Sequence, residues 1–353
     1  LSTVDIATLS LEQVSYKEDL FIDVRSPAEY EEYSLPNAIN MPLFSNEERA
    51  RVGTTYKQKS RHEAMEVGLS IFAPKWPEFY RQISKMYNQN PGRRIVVYCW
   101  RGGMRSKTMA ATLGLMNIPC YQLEGGIRSF RQYVQEGLER ESKKERSFVV
   151  IAGHTGTRKT EFLKALQDRG FPVLDLEELA GHRGSIFGHI GMNPNSQKQF
   201  DYLLLQRLQE LSNEKTLIIE AESKRIGHIV LPEFILNGKQ KGIRVELDYP
   251  FWKRVDYIYQ TYQPEKNAEA IYEAILHLQK WFDKELFNEI IESWKGCHYK
   301  QAFSLLLEHY YDPRYRHAFN QYKHHAHVIT FETFTEGMGK LITCLESLKS
   351  SKY

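Results

Sequence analysis

The chain holds only four cysteines in 353 residues, Cys99, Cys120, Cys297 and Cys344, and no two of them form a C-x-x-C pair. That pattern supports neither a zinc ribbon nor a secreted disulfide scaffold, so a reducing compartment is expected. Long apolar runs are missing too. No stretch reaches the roughly 18 residues that a membrane helix needs, and Leu1 to Asp5 lacks the basic-then-apolar order of a signal peptide. A cytoplasmic protein with no membrane partner is expected. The net charge of +3 is too small to mark a nucleic-acid surface by itself, so any such surface must come from local clustering. There is no internal repeat and no low-complexity tract. What remains is an ordinary globular composition, 42% apolar and 26% charged, in a chain long enough for two domains.

Against that background one stretch stands out. Residues 94–98 are β-rich and apolar, Cys99-Trp100-Arg101-Gly102-Gly103-Met104-Arg105 reads as a loop, and Ser106 onward reads as a helix. Backbone N–H groups of such a loop, with a helix dipole behind them, stabilise a negative sulfur and any anion that it attacks. Arg101 and Arg105 add full charges that favour the nucleophilic form of Cys99. The rest of residues 1–135 alternates short β-like runs with amphipathic segments, as a small α/β domain does. Residues 20–25 form a strand ending in Asp23-Val24-Arg25, and Ser26-Pro27 opens a helix.

Residues 136–147 are charged and poor in apolar side chains, and read as a helix end and linker. A second strand, loop and helix follow, within a domain expected over residues 148–262. The loop Gly153-His154-Thr155-Gly156-Thr157-Arg158-Lys159-Thr160 nearly satisfies G-x-x-x-x-G-K-[ST], in which backbone N–H groups cradle phosphates, the lysine reaches the outer phosphate and the hydroxyl takes Mg²⁺. Arg158 stands where the pattern has its second glycine. A side chain there is expected to distort the cradle and to crowd a bound diphosphate. Residues 215–223 form another buried strand ending in Glu220 and Glu222, at the place where such folds keep a metal-organising carboxylate. Between them Asp175 to Ser185, including His182 and Arg183, forms a long polar loop of the kind that carries sites.

Residues 263–353 read as helical. Tyr311-Asp312-Pro313-Arg314-Tyr315-Arg316-His317 and Tyr322-Lys323-His324-His325-Ala326-His327 interleave bases with aromatics. This suits a nucleic-acid surface, where cations hold phosphates and rings stack on unpaired bases, and equally suits a solvated helix face. The histidines lack acid or thiolate partners at ligand spacing, so no metal ligand is assigned.

Asp23-Val24-Arg25 followed by Glu29-Tyr30, then Leu35-Pro36-Asn37-Ala38-Ile39-Asn40, the cysteine loop and Gly125-Gly126 resemble a rhodanese domain, with Asp23 and Arg25 in structural roles. Rhodanese and phosphate loops in one chain, followed in order by His182-Arg183-Gly184-Ser185 and Ile219-Glu220-Ala221-Glu222-Ser223, resemble the tRNA 2-selenouridine synthases over residues 15–330. The resemblance implies an α/β fold: a rhodanese-like domain, then a P-loop NTPase-like domain with a helical C-terminal portion. It implies a transferase with no tightly bound cofactor. That enzyme S-geranylates wobble 2-thiouridine of tRNA from geranyl diphosphate, then replaces the geranylthio group with selenium from selenophosphate. Cys99 would carry selenium, with Arg101 and Arg105 steering the anionic donor. Gly153, Thr155, Gly156, Thr157, Arg158, Lys159 and Thr160 would hold the diphosphate, and Glu220 or Glu222 would organise Mg²⁺ or act on the uridine. Arg128, Arg131, Arg183, Arg314, Arg316 and Lys323 are the tRNA-contact candidates. A rhodanese-fold phosphatase or sulfurtransferase and an impaired tRNA-binding protein are the competing readings.

Overall fold

The computed structural model describes residues 6–319 and 326–350. The chain divides into two compact units, Leu1–Arg140 and Glu141–Tyr353.

In the first unit five parallel strands lie in the order β1-β5-β4-β2-β3: β1 (Thr8–Leu9), β2 (Leu20–Asp23), β3 (Ile39–Asn40), β4 (Ile95–Tyr98) and β5 (Cys120–Leu123). β4 is central, pairs Ile95 with Cys120 on one side and Leu20 with Ile95 on the other, and is buried at every position, as a strand covered on both faces must be. Its helices are α1 (Pro27–Glu32), α2 (Asn46–Gln58), α3 (Arg61–Phe72), α4 (Trp76–Gln89), α5 (Met104–Leu115) and α6 (Gly126–Ser142). Helix α2 has both halves of a capping box, Ser45 accepting from the Glu48 N–H, yet it buries no side chain. Helix α6 runs to Ser142, so most of the stretch expected as a linker is helix.

The second unit also has five parallel strands, in the order β12-β11-β6-β8-β7. These are β6 (Ser147–Ala152), β7 (Val173–Leu174), β8 (Thr216–Glu220), β11 (Ile243–Asp248) and β12 (His327–Thr330); β9 (Arg225–Ile226) and β10 (Ile229–Val230) form a separate hairpin. The chain moves from β6 to one side of the sheet and later returns to its other side, which leaves a crevice at the C-terminal end of β6, where ligands bind in such sheets. Helices α7 (Lys159–Gln167), α8 (Leu176–Ala180), α9 (Gln197–Glu210) and α10 (Glu233–Lys241) accompany the sheet. Helices α11 (Phe251–Tyr262), α12 (Pro264–Leu276), α13 (Lys284–Lys295) and α14 (Tyr299–Leu306) build their own core around Ile271, Ile290 and Phe303, onto which Phe187 and Ile190 dock. A π-helical turn, Leu307–Tyr311, leads into α15 (Asp312–Phe319), and α16 (Phe334–Ser350) closes the described chain.

The C-terminal portion is therefore not helical throughout. His327-Val328-Ile329-Thr330 pairs in parallel with β11, Val245 opposite His327, because a β-branched run finds an open sheet edge there. No helix among the described residues is long and apolar enough to cross a membrane.

Candidate functional site

Each unit presents one loop at the C-terminal end of its central strand. In the first, Cys99 follows β4 directly and is buried. Its Sγ accepts from the Gly103 N–H at 3.2 Å and lies 3.1 Å from Ser106 Oγ, at the start of α5. Gln122, reaching over from β5, donates to Gly102 O (2.8 Å), Gly103 O (3.2 Å) and Ser106 Oγ (2.8 Å). Ser106 and Gln122 were not anticipated as site residues. Ser106 is visible in sequence three residues past the Gly102-Gly103 pair, but Gln122 is not, being brought in by strand pairing. The Gly125-Gly126 turn locks the loop from behind. Ile127 N–H donates to Cys99 O at 2.9 Å and Arg128 N–H to Trp100 O at 3.1 Å, and a Cβ on Gly126 (φ +59°) would sit 2.3 Å from Cys99 O.

The two loop arginines differ. Arg101 is exposed, with no ion pair among the described residues, and is free to meet an anion. Arg105 Nη1 donates to Glu29 Oε2 at 2.8 Å. Burial works against Glu29's charge, but the hydrogen bond and charge of Arg105, the Ser26 N–H and the Arg49 charge together outweigh it and hold the carboxyl below its ordinary range. Half of the positive charge expected at the sulfur is thus neutralised, and the backbone N–H groups carry more of the task. The same ionised Glu29 is a poor general acid, which weakens the phosphatase reading. Asp23 and Arg25 form a buried pair at 2.6 Å, and Arg25 Nη2 also donates to the Tyr33 carbonyl, so both hold the chain beside the loop. Beside Cys99 opens an apolar cavity of about 710 Å³, walled by α2, α3 and the cysteine loop.

In the second unit the 153–160 loop joins β6 to α7. Gly153 (φ +148°) and Gly156 (φ +86°) are needed as glycines, since a Cβ would come within 2.7 Å of Leu247 O at the first and 3.0 Å of Arg254 O at the second. Lys159 Nζ donates to Gly153 O (2.7 Å) and His154 O (3.3 Å), poised across the loop mouth. Thr157 is buried, and its hydroxyl donates to His154 O at 2.9 Å. Thr155 lends its carbonyl to Arg254 at 3.2 Å. Arg158 is left-handed (φ +64°, ψ +23°), as the glycine of the pattern would be. Its side chain, however, does not crowd the mouth. The guanidinium pairs with Glu161 at 2.6 Å and lies over the rings of Phe334 (4.9 Å) and Tyr257 (5.5 Å), which corrects the expected steric conflict.

Facing Thr160 is a crowd of carboxyls. Thr160 Oγ donates to Glu177 Oε2 at 3.0 Å, and Glu177 N–H donates to the wholly buried Glu220 at 2.7 Å. A Cβ on Gly184 would stand 2.6 Å from both Glu177 Oε1 and Glu222 Oε2, so the glycine makes room for the two acids. Burial, with Glu222 beside it, pushes Glu177 up to about 8. Burial likewise raises Asp175 to about 6 and lifts Glu220 well above its usual range. Among the described residues no three carboxylate, imidazole or thiolate groups converge as metal ligands. The hard oxygens of Thr160, Glu177 and Glu222 suit Mg²⁺ as a companion of a bound phosphate, since Mg²⁺ keeps waters and takes one or two carboxylates. Glu177 was noted only as part of a polar loop.

A further clamp comes from far along the chain. Asp312 accepts from Arg254 Nη1 and Nη2 at 2.9 and 2.7 Å and lies 3.0 Å from His154 Nδ1. Burial opposes its charge, but those two partners win and hold it below the ordinary carboxylate range. Asp312, read as part of a basic-aromatic surface, belongs instead to the phosphate loop. Of the other candidates on that surface, Arg314 lies over Tyr310 (3.7 Å) and Trp281 (4.4 Å), and Arg316 is exposed near His154 and Tyr315. Arg183 is half-buried and donates to Ile190 O at 2.8 Å over the Tyr262 ring, so it braces its own loop. Arg128 is exposed and Arg131 half-buried in the first unit, and Lys323 lies outside the described residues.

Two family models match the chain, one described as a rhodanese-like domain over residues 7–133, the other as the tRNA 2-selenouridine synthase AAA domain over residues 146–290. The α/β architecture is accordingly a rhodanese-like domain followed by a P-loop-type domain with a helical C-terminal region. The tRNA 2-selenouridine synthase of Nitrosomonas europaea is 34% identical over 278 residues, covering 77% of this chain and 71% of that protein. Those of Hydrogenovibrio crunogenus (30% over 339 residues, covering 86% and 90%) and Proteus mirabilis (29% over 350, covering 88% and 92%) extend the match over most of both chains. With both loops and both matched domains in one order, this chain belongs to the tRNA 2-selenouridine synthase family.

Proposed function

We infer that the protein converts wobble 2-thiouridine of tRNA to 2-selenouridine in the cytoplasm, by two transfers run at its two loops. The supporting observation is that one chain carries both a buried cysteine whose sulfur accepts from the Gly103 N–H at a helix start and a phosphate loop whose Lys159 crosses the mouth. In the first transfer the uridine sulfur attacks geranyl diphosphate, forming a C–S bond while diphosphate leaves. Lys159, Thr160 and the loop N–H groups stabilise the departing charge. Any Mg²⁺ bound there would neutralise diphosphate oxygens. In the second, the Cys99 thiolate attacks the selenium of selenophosphate, the Se–P bond breaks, and phosphorus takes the electron pair and leaves as phosphite. The outer selenium of the resulting selenosulfide then attacks C2 of the uridine and geranylthiolate departs. A cellular thiol then attacks the Cys99 sulfur, breaking the S–Se bond to release 2-selenouridine and leaving a mixed disulfide, and a second thiol restores Cys99 as the disulfide of the two thiols departs. Arg101 draws in the anionic donor, Arg105 and Glu29 hold the loop, and S-alkylation is needed because it makes sulfur a better leaving group.

Thiolated tRNA incubated with geranyl diphosphate alone should yield S-geranyl-2-thiouridine, and 2-selenouridine once selenophosphate and a thiol are added. Nucleoside mass spectrometry reads both. No mass change with either donor, together with phosphate release from an aryl phosphate, would point to the phosphatase instead.

A further inference from the structure

The cavity beside Cys99 is much larger and more apolar than the delivery of a small anion requires. At about 710 Å³ it lies within the size range of small-molecule sites, about 300–1,000 Å³. Selenophosphate is compact and multiply charged, and would be served by the loop N–H groups and Arg101 alone. Large apolar side chains are nevertheless left open to solvent around this opening: Tyr56 is 61% exposed, Leu69 64%, Met65 and Met104 44%, and Trp100 38%, while Phe72 is buried behind them. Apolar side chains gathered in this way around one mouth mark a binding site. Helix α2, which buries no side chain, contributes Val52 and Tyr56 to the wall and so acts as a wall more than as core. Met65 and Met104 are unbranched and adapt to the shape of an aliphatic guest. Of the polar lining residues, Arg61, His62 and Glu66 belong to α3 and Thr108 to α5, while Arg101 and Arg105 lie beside the sulfur on the cysteine loop, so a ligand with its reacting end at Cys99 has its anion-steering cations there and the apolar side chains of α2 and α3 for its other end.

We propose that this cavity is the seat of the alkyl chain of the S-alkylated uridine, holding the hydrocarbon so that the thioether sulfur and C2 face Cys99. The inference rests on the reading that an alkylthio group is displaced at Cys99. It adds that the first unit, and not only the diphosphate-binding unit, recognises the chain, and that leaving-group length is read at the site of selenium transfer. A tRNA bearing unalkylated 2-thiouridine has nothing to fill the cavity and is discriminated against.

The test uses the full chain and three synthetic nucleosides, S-methyl-, S-butyl- and S-geranyl-2-thiouridine, with binding followed by calorimetry. Transfer of each methylene out of water gives about a threefold to fourfold gain, so affinity should rise at least 100-fold from methyl to geranyl. Leu69→Glu and Met65→Glu change exposed positions, which protects the fold, and should abolish most of that gain. Modification of Cys99 by iodoacetamide, followed by mass, should proceed at the parent's rate in both variants and so report an intact loop. A parent with no chain-length dependence, or variants that keep it, would overturn the proposal. So would variants whose only change is a lower mass in solution, which would make the apolar rim a contact between copies of the chain. If chain-length dependence and its loss hold but the parent fails to exchange geranylthio for selenium on geranylated tRNA, the cavity stands as an alkyl site and the two-transfer reading falls.

Discussion

Arg158 shows how one residue can break a motif and still fit its fold. Its left-handed backbone costs on the order of 1 kcal/mol relative to glycine. Against that stand a partly exposed ion pair with Glu161, worth at most about 1 kcal/mol, and two ring contacts of about 0.5–1 kcal/mol each. Arg158→Gly should therefore leave stability nearly unchanged, whereas Arg158→Ala keeps the strain, loses the contacts, and should be less stable by about 1–2 kcal/mol in urea. Because the guanidinium lies off the mouth, the KM for geranyl diphosphate should stay within about twofold in Arg158→Gly. A gain of tenfold would restore the idea of steric conflict. Glu177 offers a prediction of opposite character. Its carboxyl is moved from an ordinary 4.5 to about 8, so between those values the folded state binds more protons than the unfolded one and stability falls as pH rises. The melting temperature of the ligand-free protein should drop from pH 5 to pH 8, and Glu177→Gln should flatten that slope. An unchanged slope in the variant would assign the titration to Asp175 or Glu220. The same proton must leave before Glu177 can ligate Mg²⁺, so any metal affinity should increase toward pH 8.

At the scale of elements, both loops were legible because each is contiguous: a buried strand, a short run of glycines and cations, and a helix start, all within about fifteen residues. Elements that meet only through folding were not. Asp312 lies 158 residues from His154, and nothing local distinguishes it from the bases around it. β12 is four residues long and was lost inside a helical pattern. The α2–α3 pair carries little amphipathic signal, since α2 buries nothing, so the cavity that it walls left no trace in the apolar periodicity. The Gly125-Gly126 turn was recognised, but its mechanical role needed the structure. Gly126→Ala places a Cβ 2.3 Å from Cys99 O on a residue with φ +59°. It should destabilise the first unit by about 2 kcal/mol or more and depress selenium transfer, while geranylation by the other loop persists. Loss of both activities in a protein that still folds would mean that the turn matters beyond its own loop.

At the scale of the whole molecule, two sheets with separate cores carry the loops to which the two proposed transfers are assigned. Cys99 lies in a core built on Ile22, Val97 and Met109, and Lys159 opens a helix packed into another built on Ile151, Phe162 and Leu247. A change in one loop therefore need not disturb the packing under the other, and the reaction should be divisible by mutation. Cys99→Ser removes the proposed selenium carrier, yet leaves the phosphate loop intact, so thiolated tRNA should be converted to the S-geranyl form and stop there. Lys159→Ala removes a cation that crosses the loop mouth, together with its bonds to Gly153 O and His154 O. The loss of a positioned donor to developing charge costs about 10²–10³-fold in rate, so geranylation should nearly cease. Supplied with tRNA that is already geranylated, however, the Lys159→Ala protein should perform selenium transfer at close to the parent's rate. Single-turnover reactions of the three proteins on thiolated and on geranylated tRNA, read by nucleoside mass, test this division. If Lys159→Ala also fails on geranylated tRNA while folded, the phosphate loop takes part in the second transfer, and the two loops must act on one bound uridine rather than in succession.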